Sequence, residues 1–209
     1  MSFFRYNAYH HGRKMKGIET ILLIGIIFTM FTAMINRTVA VSNEVRAETL
    51  RLHIIANSDS EADQALKLKI RDRILEATGE LFSEVSGKTE ALSAAEYSSE
   101  DIKLIVQKVI EEEGFDYPVQ VELTEMWFET RSYDGFTLPA GDYDTVRIII
   151  GDGEGKNWWC VMYPALCVPG AEEKIMEYGE NADFITGSGV EIRFAIIEWI
   201  EKLKIFFKK

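Results

Sequence analysis

Histidine, cysteine and proline are scarce in this chain, and beyond residue 40 so is positive charge. The 209 residues include three His, two Cys and four Pro. After residue 12 one histidine remains, His53, and one His with two Cys at no ligand spacing gives no metal site. Four prolines without a Ser/Gly-rich tract exclude a long disordered linker. From residue 41 onward there are 18 Lys/Arg against 33 Asp/Glu, a formal charge near −15. Such a surface excludes nucleic acid and general adhesion to anionic lipid, because phosphate binding needs clustered cations. No internal repeat is present.

The long hydrophobic run is confined to the N-terminus. Arg5, Arg13, Lys14 and Lys16 precede Ile21–Ile35, fifteen residues without a charge. A basic start followed by such a run is what export machinery reads. It is short of the roughly 20 residues of a full bilayer span, unless Ile18 extends it and Glu19 is included. The cationic flank should stay inside and send the rest across. Thr38-Val39-Ala40 offers small residues to a signal peptidase, so cleaved signal and retained anchor both remain open. The expected organisation is a signal peptide or anchor over 1–40 and one extracytoplasmic domain over 41–209.

Within that domain the hydrophobic period changes along the chain. Thr49–Ala56 is rich in large aliphatics and reads as a buried strand. Asn57-Ser58-Asp59-Ser60 ends it, and Ser58-x-x-Glu61 and Ser60-x-x-Asp63 have capping-box spacing. Leu66, Ile70, Ile74, Ala77 and Leu81 then recur every three or four residues, a core-facing helix stripe. Ser98-x-x-Asp101 starts a second helix with Ile102, Ile105, Val106, Val109 and Ile110, ended by Gly114. After Pro118 the period is 2, with Val119, Val121, Leu123 and Trp127 on one face and Gln120, Glu122, Thr124 and Phe128 on the other. Asp134-Gly135 is a tight-turn pair. Val146–Ile150 and Trp158–Tyr163 read as strands joined in a hairpin by Gly151-Asp152-Gly153-Glu154-Gly155. Glu191–Phe207 reads as an amphipathic helix, with Ile192, Ile196, Trp199, Ile200, Leu203 and Phe206 on one side and Ser188 as its cap. The expected class is α+β: an N-terminal strand and two helices, an antiparallel hairpin sheet, and a C-terminal helix.

Few residues offer chemistry. The glycine loop fails the phosphate-loop pattern, since a strand follows it and Asp152 and Glu154 would repel phosphate. It fails the calcium-loop pattern too. A hydrolase using His53 with Asp59 or Asp63 is the alternative to a binding protein, although no nucleophile elbow supports it. Cys160 and Cys167, six residues apart in an exported chain, are candidates for a disulfide; the other reading is two buried thiols. Trp158 and Trp159 must point to opposite faces of their strand. With Asn157 they form the candidate partner-binding surface, tryptophan being favoured at interface hot spots.

Two segments carry a family resemblance. Arg51–Ser60 (RLHIIANSDS), continued by Asp63–Asp72, resembles the opening of stage II sporulation protein R. Gly155–Val161 with Pro164 and Cys167 is similar to a later part of that family, and the likeness spans most of residues 45–209. The resemblance implies a non-enzymatic signalling protein of endospore formers, exported from the forespore into the space between the two sporulation membranes. Its implied partner is a membrane-embedded aspartic protease of the mother cell, which then activates the early mother-cell sigma factor. No catalytic residue, cofactor or metal comes with the resemblance. A signal of this kind must bind the active arrangement of its target better than the inactive one, since tight binding alone shifts nothing.

Overall fold

The structure is a computed structural model and describes residues 17–81, 85, 87–133, 135–164, 166 and 182–186. Of the tail it describes residues 194, 195, 198, 199, 202, 203 and 206. Helix α1, Gly17–Ala47, opens the described chain. Residues up to Thr38 form one compact unit, and residues from Val39 onward a second.

In the first unit, α1 shows apolar side chains on all sides, with Ile21, Leu22, Ile24, Phe28 and Met30 all exposed. Mean hydropathy reaches 2.2 within the helix. At about 1.5 Å per residue its length exceeds the roughly 30 Å of a hydrocarbon core. It is the one helix among the described residues long and apolar enough to cross a membrane, and it suits a signal peptide or an anchor equally.

The second unit is built on a four-stranded sheet of order β2-β5-β1-β6. The strands are β1 (Leu50–Ile55), β2 (Val119–Phe128), β5 (Gly141–Ile150) and β6 (Asn157–Tyr163). β1 runs parallel to β5 and antiparallel to β6. Two short strands, β3 (Arg131–Tyr133) and β4 (Phe136–Leu138), pair with each other as a separate hairpin, Gly135 turning at a φ of +83°.

Helices α2 (Glu61–Leu81), α3 (Lys88–Tyr97) and α4 (Ser99–Glu112) contribute to the core on one face of the sheet. Leu66, Ile70 and Ile74 of α2 and Ile102, Val106 and Ile110 of α4 meet Leu50, Leu52 and Ile54 of β1 there. Each large aliphatic buried in this way contributes about 1.5–3 kcal/mol. A second, smaller core joins Val45, Phe136, Leu138, Val161, Leu166, Ala182, Ile185 and Phe194. Ala182 and Ile185 belong to the short helix α5, Ala182–Thr186.

The α+β class and most elements agree with the sequence reading, but three features do not. First, β5 and β6 are not a hairpin, because β1 lies between them and the sheet is mixed rather than antiparallel. β1 is uniformly apolar on its helix side and buried throughout, which suits a central position. Second, α3 is a helix in a stretch to which the sequence reading assigned no element, and Ser98 does not cap α4 through its side chain. Ser98 is also the C-cap of α3, its N–H donating to the Ala94 carbonyl, so the two helices meet with no loop in which a hydroxyl could turn inward. Third, in the tail Phe194, which is not part of the expected apolar stripe, is fully buried, whereas Trp199 and Phe206 of that stripe are 65% and 75% exposed. The carboxylate of Glu198 accepts the Thr130 N–H, which turns that side of the segment inward. Ile192, Ile196 and Ile200 lie outside the described residues, as do Asp134, Cys167 and Ser188.

Candidate functional site

The two segments that carry the family resemblance are brought together: β1 pairs with β6, and the turn after β1 packs against the loop before β6. Asn57 is the pivot. Its backbone carbonyl accepts the Glu154 N–H at 3.1 Å, its side-chain oxygen accepts the Asp152 N–H at 3.0 Å, and its amide donates to Asp63 at 3.0 Å. Ser58 donates to the same Asp63 oxygen at 2.5 Å, and the Asp63 N–H donates to Ser60 at 3.1 Å, which is the helix cap expected at Ser60. Asp59 accepts the Lys156 N–H at 2.8 Å, and Lys67 donates to the Lys156 carbonyl at 2.7 Å. Burial opposes ionisation of Asp63, but hydrogen bonds from Ser58, Asn57, Tyr117 and Ser60 outweigh it and hold the carboxyl below its usual range. The glycines of the loop have a steric purpose. A side chain at Gly151 would strike the Asn57 amide, and one at Gly155 the Ser58 carbonyl. This polar knot is a joint between two chain segments.

A different set of side chains lies on the sheet face away from α2, α3 and α4. Strand register aligns Glu122, Arg147, His53 and Trp159 in one row across all four strands. Arg147 pairs with Glu122 at 2.9 Å. The His53 ring stacks on Trp159, with centroids 3.8 Å apart and planes within 8°. Phe128 meets the same indole edge-on, and the guanidinium of Arg131 stands 5.2 Å above it. The Nε2–H of His53 donates to the Asn157 side-chain oxygen at 2.9 Å, which leaves the lone pair on Nδ1. That Nδ1 is buried and has no hydrogen-bond partner among the described residues. One row further, Arg51 is fully buried with its guanidinium 4.1 Å from the Phe128 ring and 5.0 Å from Tyr143, and it donates to the Cys160 carbonyl and the Tyr133 hydroxyl.

Of the candidate residues, Asn157 and Trp159 thus share one face, while Trp158 points the other way. Trp158 packs against the helix-side core, with the Arg71 guanidinium 4.5 Å over its ring. Asn157 is exposed, and both tryptophans are half-buried. The Ser/His/Asp arrangement is not assembled. His53 is held by Asn157 and Trp159, whereas Asp59 and Asp63 are bound within the joint beyond the strand end. Among the described residues no His/Cys/Asp/Glu group could hold a metal ion. Arg51, Arg131 and Arg147 were not candidates in the sequence. The only signal for them was period-2 spacing in strands, which aligns Arg51 with His53 but cannot show which residues sit across from them.

Burial holds the His53 imidazole below its ordinary value of 6.5, and the charges of Arg147 and Arg131 push the same way against the Asn157 hydrogen bond. A depressed histidine favours the neutral form in the fold. Its contribution to stability is therefore complete above the unfolded value and declines as pH falls through it. Urea unfolding of the native protein and His53→Gln should show this, the native protein losing more stability than the variant between about pH 7 and about pH 5. Parallel pH profiles would mean that His53 is not held neutral.

The chain is similar to known proteins over most of its length. It is 31% identical over 184 aligned residues to "Stage II sporulation protein R" of Bacillus subtilis (strain 168), with 75% of this chain and 81% of that protein covered. No solved structure matches it. The model of the family described as Stage II sporulation protein R (spore_II_R) matches residues 46–173, which contain β1, the polar joint and the tryptophan strand, and the chain belongs to that family.

Proposed function

We propose that this chain is an exported sporulation signal. It leaves the forespore through its N-terminal apolar helix and acts in the intermembrane space on a membrane-embedded aspartic protease of the mother cell, leading to activation of the early mother-cell sigma factor. Membership of a sporulation protein family supports the process, and α1 suits export or anchoring. The observation that carries the contact surface is the build of β6 at Asn157–Trp159. Trp159 is braced by His53 and Phe128 yet half-exposed, next to an exposed Asn157. A rigid, partly open indole is the side chain that most often dominates a protein interface.

The test is reconstitution of the full chain with the protease and its pro-protein substrate. Trp159→Ala is expected to reduce activation by roughly 30-fold, the size of a hot-spot loss of about 2 kcal/mol, with circular dichroism unchanged. Trp158→Ala should act mainly through stability, since its ring belongs to the helix-side core. Normal activation by a folded Trp159→Ala protein would remove β6 from the contact surface.

Cys160 and Cys167 are proposed to be joined in the exported protein. Closing so small a loop restrains the unfolded chain by somewhat less than the roughly 3 kcal/mol of a 15-residue loop. Mass spectrometry after alkylation without reductant should find neither cysteine modified; two labelled thiols on folded, exported protein would rule the bridge out.

A further inference from the structure

The two outer strands of the sheet differ in kind. β2 carries Glu122 and Glu125 in exposed positions, charges of the sort that deter a foreign strand. β6, on the other side, has no charged residue from Asn157 to Tyr163, and its first three residues, Asn157–Trp159, pair only with β1 among the described residues. The charged groups that stand over its two tryptophan rings come from other elements, and both are cations. Arg71 of α2 lies over Trp158, and Arg131 of β3 over Trp159. Consecutive strand residues face opposite ways, so these two guanidinium groups bracket the same stretch of edge, one on each face of the sheet. They do so in a chain whose formal net charge is −11. Arg71 pairs with its neighbour Asp72, whose side chain is largely exposed, and Arg131 has no ion pair among the described residues.

We infer that the Asn157–Trp159 edge receives an extended acidic segment of a partner protein as an added strand, its neighbouring side chains placing one carboxylate beside Arg71 and Trp158 and the next beside Arg131 and Trp159. An added strand lies about 4.8 Å from β6, and residues opposite one another have Cβ atoms about 5 Å apart. Side chains opposite Trp158 and Trp159 therefore reach the two guanidinium groups directly. Main-chain hydrogen bonds supply the affinity, and the alternating pair of cations supplies the selection for acid. The inference rests on the contact surface proposed above and adds the chemistry of what it contacts.

The test uses the full chain in detergent and a fluorescein-labelled peptide of about ten residues, alternating Thr and Val around two adjacent Glu, the acidic counterpart of a β-strand ligand. The same peptide with Lys in place of Glu is the control. The Glu peptide is expected to bind roughly tenfold or more tightly, and to slow amide exchange at residues 157–159. Arg131→Gln and Arg71→Gln should each weaken it about three- to tenfold, with Arg→Lys restoring part of the loss. Equal affinity for the two peptides, indifference to both Gln substitutions, or protection at other strands would overturn the inference. Binding of anionic vesicles in place of the peptide would overturn it as well. If the Glu peptide binds as expected while Trp159→Ala and Arg131→Gln still activate the protease, the strand site stands and the signalling surface lies elsewhere. If Trp159→Ala abolishes activation while no peptide binds, the signalling surface stands and strand addition is wrong.

Discussion

Arg51→Ala is expected to cost about 3–5 kcal/mol of stability, the largest effect of any single change in the second unit. Arg51 is fully buried on β1, its guanidinium packed on Phe128 and Tyr143 and hydrogen-bonded to the Cys160 carbonyl and Tyr133 hydroxyl. Truncation opens a cavity among aromatic rings and strips two acceptors of their donor at once. Arg51→Met separates these contributions. Its length and flexibility refill the space without the charge, and exchanging a buried ion for packed apolar atoms is often neutral. The methionine variant should therefore be clearly more stable than the alanine variant in urea unfolding. Equal losses would mean that the charge itself, through its contacts with the rings and the two oxygens, holds the second sheet face together.

Gly155→Ala is the second large effect, expected at about 2–3 kcal/mol. A methyl group at Gly155 would be driven into the Ser58 carbonyl, which is backbone and cannot swing aside. Relief would require separating the β1–α2 turn from the loop before β6, and with it the Gly155 N–H bond to Ala56 and the Lys156 N–H bond to Asp59. Gly79→Ala is the control of opposite sign. Gly79 lies in α2 with nothing within 4 Å of an added Cβ, so alanine should stabilise by roughly 0.5–1 kcal/mol through helix propensity. Thermal unfolding of both variants checks the pair; a Gly155→Ala protein as stable as the parent would mean that the turn and loop are not locked together.

The sequence alone determined the parts whose cause is local. An uncharged run behind a basic start is a property of adjacent residues, and α1 has that character in the structure. The stripes Leu66-Ile70-Ile74 and Ile102-Val106-Ile110 are spacing within one helix, and both are buried as that spacing required. The Ser60 cap is a contact across three residues. The opposite orientation of Trp158 and Trp159 follows from the pleat of a single strand.

Only the tertiary structure decided what crosses long stretches of chain. Two apolar strands with a short loop between them are a hairpin by every local rule, yet β1 enters between β5 and β6 from roughly 100 residues away in sequence. A buried strand gains by having neighbours on both edges, and nothing within residues 146–163 records that a third strand will supply one of them. The same insertion explains the site. His53 stands between Arg147 and Trp159 because register puts it there, so the imidazole that offered itself as a base in the sequence is a stacked, neutral brace for an indole. The acids that seemed to attend it lie past the strand end, Asp59 accepting the Lys156 N–H just before β6 and Asp63 accepting from the side chains of Asn57 and Ser58. Arg71 and Arg131 meet the two tryptophans only through the packing of α2 and β3 on opposite faces of β6. Residue spacing specifies which way a side chain points along its own element; what stands opposite it depends on strand order, which is set by the burial of the whole sheet.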